Sequence, residues 1–128
     1  MIQLYVAKGD EAIGFYKEAF DGKITSKHCD DHNNIVHAEM EAFGQIFAFS
    51  DIVYNEEELG NVSRRVQICL DFEKGHINVG RKIYESLKIG AIDVSKFCTK
   101  DTEDDDVYWE EWHFEVIDKY GISWCLWS

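Results

Sequence analysis

His37, Glu39 and Glu41 alternate with Val36, Ala38 and Met40, so an extended strand would carry the imidazole and both acids on one face. His113 and Glu115 repeat the first two of these residues near the other end of the chain. Two imidazoles and two carboxylates are donors that suit a divalent ion, which makes His37, Glu39, His113 and Glu115 one candidate constellation. Polar residues on a solvated sheet face or a cavity rim account for the same pattern without a metal, and that is the preferred reading. Asp101, Glu103, Asp104, Asp105 and Asp106 crowd one short segment. They lack the Gly and the spaced Glu of a calcium-binding helix–loop–helix, so the segment reads as a solvated acidic loop. Cys125 stands between Trp124 and Leu126 and reads as an inert small hydrophobe rather than a nucleophile. No glycine-rich phosphate cradle and no Ser-His-Asp pattern is present.

These residues need strands to aim them, and the chain spells out such strands twice. Ile2 to Val6 is rich in strand formers. Asp10 is placed to cap a helix whose apolar stripe is Ala12, Ile13, Phe15, Tyr16, Ala19 and Phe20, ending before Gly22. Strands are then expected over Gly22 to Cys29, Ile35 to Ala42 and Gln45 to Ser50, the last two joined at Phe43-Gly44. After a polar connection at Tyr54 to Ser63, the order recurs. A strand runs over Arg65 to Phe72, and a helix over Ile77 to Leu87 with Ile77, Val79, Ile83, Tyr84 and Leu87 inward. Strands follow over Ala91 to Thr99, Val107 to Ile117 and Ile122 to Trp127.

The repeat is in the residues as well as the pattern. Phe15-Tyr16-Lys17-Glu18 with Gly22 and Ile24 matches Ile83-Tyr84-Glu85-Ser86 with Gly90 and Ile92; His37 to Met40 matches His113 to Val116; Gly44 to Ser50 matches Gly121 to Trp127. The expected architecture is α+β: two βαβββ modules, 1–58 and 64–128, making one domain in which a curved mixed sheet wraps a central cavity. The polar connection would be the hinge between the modules.

Composition narrows the function classes. With 128 residues, 45% of them apolar, the chain is the size of one ordinary domain. A formal net charge of −12 repels nucleic acid and anionic membrane surfaces, and no apolar run approaches the length of a membrane span. Cys29, Cys69, Cys98 and Cys125 are widely spaced, without a paired motif, so they are expected to be reduced and mostly buried thiols of a cytoplasmic protein. Four Trp, six Tyr and eight Phe are generous for a core of this size and fit an aromatic-lined cavity.

The segments Ala12-Ile13-Gly14-Phe15-Tyr16-Lys17-Glu18, Ile35-Val36-His37-Ala38-Glu39, Phe49-Ser50-Asp51, Tyr108-Trp109 and Asp118-Lys119-Tyr120-Gly121-Ile122-Ser123-Trp124 resemble the PhnB-like branch of the glyoxalase/bleomycin-resistance (vicinal-oxygen-chelate) superfamily. Metal-dependent members carry a His or Gln on the first strand, a Glu on the fourth, a His on the fifth and a Glu on the eighth. The resemblance carries these positions onto Met1 or Gln3, Ala48, Arg65 or Val66, and Cys125. Both carboxylates are thus replaced, at places the internal repeat pairs with each other. It follows that no metal and no cofactor is expected. The resemblance implies a cavity lined by His37, Glu39, Ala48, Ser50, Trp109, His113, Ser123, Cys125 and Trp127, suited to a small aromatic or cationic ligand. Trp109 and Trp112 fall on opposite strand faces, so only one of them can line it. The resemblance also implies a homodimer, open to exchange of half-domains at the hinge. Two alternatives from the same superfamily are a metal-dependent lyase, isomerase or dioxygenase using the His37/His113 and Glu39/Glu115 set, and an antibiotic-sequestering protein.

Overall fold

The computed structural model describes residues 1–52, 67–104 and 107–128, with backbone alone at 101–104 and 107–110. The chain divides into two compact units, Met1–Asn61 and Val62–Ser128. The expected hinge at 54–63 lies outside the described residues.

In the first unit the elements are β1 (Ile2–Val6), α1 (Gly9–Phe20), β2 (Lys23–Cys29), β3 (Ile35–Ala42) and β4 (Gln45–Asp51). The sheet order is β1-β4-β3-β2, with β1 parallel to β4 and the other pairs antiparallel. Ala12, Ile13, Tyr16, Ala19 and Phe20 are buried as the spacing predicts, whereas Phe15 is half-buried at the edge of the stripe. Tyr16 stacks on Phe49 at 5.5 Å and Phe20 on Phe47 at 5.7 Å, contacts worth about 0.5–1.5 kcal/mol each beyond the area they bury. The β3–β4 turn falls at Phe43-Gly44, whose φ values of 52° and 74° are those of a two-residue hairpin turn.

The start of α1 differs from expectation. Lys8 is the N-cap and Asp10 lies within the first turn, pairing with Lys27. The capping carboxylate comes from the far end of β4 instead. Asp51 Oδ1 accepts from the Gly9 amide at 2.5 Å and Oδ2 from the Ile35 amide at 2.6 Å. One side chain therefore ties the start of α1, the start of β3 and the end of β4. A β-carbon at position 9 would lie 2.9 Å from that carboxylate, so glycine is what lets the helix begin there.

The second unit contains β5 (Ile68–Asp71), α2 (Ile77–Leu87), β6 (Asp93–Val94), β7 (Cys98–Asp104), β8 (Val107–Ile117) and β9 (Ser123–Trp127). β5 lies parallel to β9, β9 pairs with β8, and both β6 and β7 pair with the other edge of β8. The strand expected over 91–99 is thus broken in two. Ser95 sits at the break, with its hydroxyl accepting from the Glu115 amide at 2.8 Å, while Phe97 stacks on Trp112 at 5.7 Å and on Phe114 at 5.8 Å. The acidic segment also departs from expectation: Asp101–Asp104 is strand, paired residue for residue with Glu110–Val107. Ladder hydrogen bonds to β8 outweigh the low strand propensity of the acids. The helix–sheet contact is close as well. A β-carbon on Gly80 would meet the Trp112 ring at 2.7 Å, and the indole N–H of Trp112 donates to the Gly75 carbonyl at 2.9 Å.

Asp118 plays in this unit the part that Asp51 plays in the first. Fully buried, its carboxylate accepts from the Tyr120 amide at 2.8 Å, the Ile122 amide at 3.1 Å and the Trp124 indole N–H at 2.8 Å. The β8–β9 turn and the largest core side chain on β9 thus share one anchor. Asp118→Ala strands these donors away from water, each at a cost of about 1–3 kcal/mol. The expected loss is about 3 kcal/mol or more of unfolding free energy in urea titration; a loss under about 0.5 kcal/mol, the size of a neutral surface substitution, would contradict the anchoring role.

Candidate functional site: the open sheet faces

Side chains alternate across each sheet, so the face turned away from the helix is set by register. In the first unit Gln3, Ala48 and Glu39 stand side by side on β1, β4 and β3. In the second, Cys69, Cys125 and Glu115 stand in the same order on β5, β9 and β8. The duplication therefore holds residue by residue, with Ala48 matching Cys125 and Glu39 matching Glu115. Phe47, Phe49, Trp124 and Leu126 are buried on the opposite, helix-facing side, as the alternation predicts.

On the first open face the polar groups engage one another. The His37 Nε2 lies 3.2 Å from Glu39 Oε1. Gln3 donates to the Ser50 hydroxyl at 3.1 Å, which donates to the Val36 carbonyl at 2.9 Å. Ala48 is completely buried beneath this layer and presents a methyl group where the superfamily pattern has a carboxylate.

The open face of the second sheet carries two clefts of about 300 Å³ each. Gln67, Asp93, Ser95, Glu115 and Ser123 line the first. Gln67 donates to the Ser123 hydroxyl at 3.4 Å, and among the described residues the cleft's lining holds two carboxylates and no basic side chain. Cys98, Lys100, Glu111, His113 and Trp127 contribute to the second. His113 and Glu115 share a sheet face but open into different clefts. Of the residues expected at a site, Ser123 lies in the first cleft and His113 and Trp127 in the second. Cys125 lines neither. The side chain of Trp109 lies outside the described residues, while Trp112 is buried on the helix side.

Sequence reasoning missed Gln67, Asp93 and Ser95, which reach the first cleft from segments far apart in the chain. It also misplaced the cysteines. Cys29, Cys69 and Cys98 are exposed and Cys125 is half-buried. Residue type favours burial, but strand parity puts Cys69 and Cys125 on the open face, and Cys29 and Cys98 sit at strand ends. Burial, followed by the neighbouring Cys69 and Glu115, pushes the Cys125 thiol up to about 11.

This arrangement of strands and helices recurs among solved structures. The PhnB protein from Bacillus cereus is 22% identical, matches over 98% of this chain and 95% of its own, and superposes with a TM-score of 0.62. A glyoxylase/bleomycin resistance protein/dioxygenase domain from Frankia matches at 17% identity over 98% and 92% of the two chains, with a TM-score of 0.65. The fosfomycin resistance protein FosX from Listeria monocytogenes matches at 11% identity over 98% and 88%, again at 0.65. The chain has the glyoxalase/bleomycin-resistance fold. No protein-family model and no curated protein matches it.

Within the glyoxalase fold, the metal positions carried over by resemblance can be tested against the donors present. Ala48 has none, and Cys125 offers a soft thiol where the superfamily pattern has a carboxylate. The fifth-strand position, Arg65 or Val66, lies outside the described residues. Among the described residues these positions offer the Gln3 amide and a thiol, not the superfamily's set with its two carboxylates.

The raised Cys125 thiol makes a reactivity prediction. At pH 7.5, iodoacetamide is expected to modify Cys29, Cys69 and Cys98 while sparing Cys125. Reaction at Cys125 should rise only as pH climbs toward about 11, because the thiolate is the nucleophile. Peptide mapping that finds Cys125 labelled as fast as Cys69 at pH 7.5 would refute this assignment.

Proposed function

We propose that the chain is a PhnB-like small-molecule-binding protein that takes a cationic ligand in the first cleft and works without the superfamily's metal. The observation that carries this reading is the cleft bounded by Asp93 and Glu115, with the Gln67 amide and the Ser95 and Ser123 hydroxyls as orienting groups. A volume of about 300 Å³ sits at the lower end of ordinary ligand sites. Two carboxylates attract an amine or guanidinium and repel an anion, and the net charge of −12 acts in the same direction on encounter. Antibiotic sequestration is a special case of this reading, since a cationic drug would meet the same carboxylates.

The metal-dependent alternative needs His37, Glu39, His113 and Glu115 as ligands. Against it, His37 and Glu39 already pair with each other, and His113 and Glu115 open into separate clefts. Cytoplasmic location and self-association belong to the same proposal. Among the described residues no helix is long and apolar enough to cross a membrane. Tyr5, Val36 and Ile46 are 63%, 59% and 43% exposed, apolar surface of the kind that partners cover.

Thermal-shift titration tests the cleft. Aromatic and aliphatic amines should stabilise the protein and matched carboxylic acids should not. Asp93→Asn and Glu115→Gln should each weaken amine binding by about fivefold, the equivalent of about 1 kcal/mol per partly exposed charge. Equal stabilisation by acids, or unchanged amine affinity in the double variant, would overturn the assignment. Elemental analysis of the purified protein tests the rest: a stoichiometric divalent ion that disappears in His37→Ala/His113→Ala would restore the metal-dependent reading. Light scattering at micromolar concentration is expected to give the mass of a dimer, and a monomer mass would remove the self-association proposal.

A further inference from the structure

Cys69 and Cys125 are register partners on the parallel strands β5 and β9. Paired strands run about 4.8 Å apart, inside the Cα separation of about 4.4–6.8 Å over which a disulfide closes. Both side chains emerge on the open face, side by side at one register position. Cys69 is exposed, and Cys125 is half-buried beside it. Each remaining thiol lacks such a neighbour in register: Cys29 lies opposite Ile35 and Cys98 opposite His113.

We propose that Cys69 and Cys125 form a thiol–disulfide exchange site that is oxidised by low-molecular-weight disulfides. Exposure sets the order of events. Cys69 gives its proton to solvent, and its sulfur attacks one sulfur of the small disulfide, forming a mixed disulfide and releasing one thiolate, which takes up a proton. Cys125 then loses its proton and attacks Cys69 Sγ, forming the Cys69–Cys125 bond and expelling the second thiolate, which is protonated in turn. The protein dithiol gives up two electrons and two protons, and the small disulfide becomes two thiols. Cys125 is too strongly protonated to be a good first nucleophile. As the resolving thiol it needs only to reach a sulfur held beside it, where proximity replaces concentration. The site stands apart from the cleft's ligand and does not depend on what that ligand is.

The test is incubation of the full chain with oxidised glutathione, followed by peptide mapping under non-reducing conditions. The expected product is a Cys69–Cys125 linkage with the mass of two hydrogens lost, reversed by dithiothreitol, while glutathione adducts appear only at Cys29 and Cys98. In Cys125→Ser, glutathione is expected to accumulate on Cys69. In Cys69→Ser, reaction at Cys125 should slow by about tenfold or more. Wild-type protein that keeps glutathione on Cys69, leaves both thiols free, or links either one to Cys29 or Cys98 would overturn the proposal. This mapping uses the unmodified sequence, so it decides the matter even where a variant folds poorly.

Discussion

In each unit the first strand lies parallel to the last, β1 against β4 and β5 against β9. Neither pair is close in sequence, so each can form only after a helix and two or more strands have been laid down between its members. That pairing sets the parity of every other strand. Once Leu4 and Val6 face α1 beside Phe49, Gln3 must face outward beside Ala48, and Glu39 must follow on β3. A slip of one residue would exchange the aromatic core for the polar row. The large rings on the helix side make such a slip prohibitive, because Tyr16, Phe20, Phe47 and Phe49 are all buried. Core packing thereby determines which residues remain for function.

Two carboxylates are spent on this constraint. Asp51 and Asp118 each accept backbone amides from turns or helix starts, and Asp118 also takes the Trp124 indole proton. Both fall in the segments that carry the family resemblance, so part of that resemblance records how the fold is stapled rather than what it binds. The two units solve the problem differently. The residue that the repeat aligns with Asp51 is Ser128, whose hydroxyl is buried without a hydrogen-bond partner among the described residues. The second unit instead anchors its last hairpin through Asp118 and its helix through the Trp112 indole on the Gly75 carbonyl. Duplicated halves have kept the strand order and register while exchanging the polar contacts that hold them.

The elements were legible in sequence wherever the signal is local. The stripe of α1, the Phe43-Gly44 turn and the alternation of β3, β4, β8 and β9 all follow from spacing of two or of three to four residues. Features decided by distant partners were not. Asp10 looked like the cap of α1 because it is adjacent, yet Asp51 does the work from 42 positions away. Asp101–Asp104 looked like a loop because acids disfavour strands, yet β8 supplies the ladder. The candidate site follows the same rule. Ser123, His113 and Trp127 could be placed on the open face by parity alone. Gln67, Asp93 and Ser95 could not, since their meeting at one cleft depends on β5, β6 and β8 sharing a sheet.

Glu115 links the two chemistries of the second open face. Its carboxylate lines the acidic cleft, and it is the register neighbour of Cys125 on the side opposite Cys69. A carboxylate in that place disfavours a second negative charge and helps hold the Cys125 thiol protonated. In the first unit the equivalent Glu39 faces Ala48, which has nothing to ionise. The same carboxylate thus does two different things in the two halves, because one register position beside it changed from a methyl to a thiol.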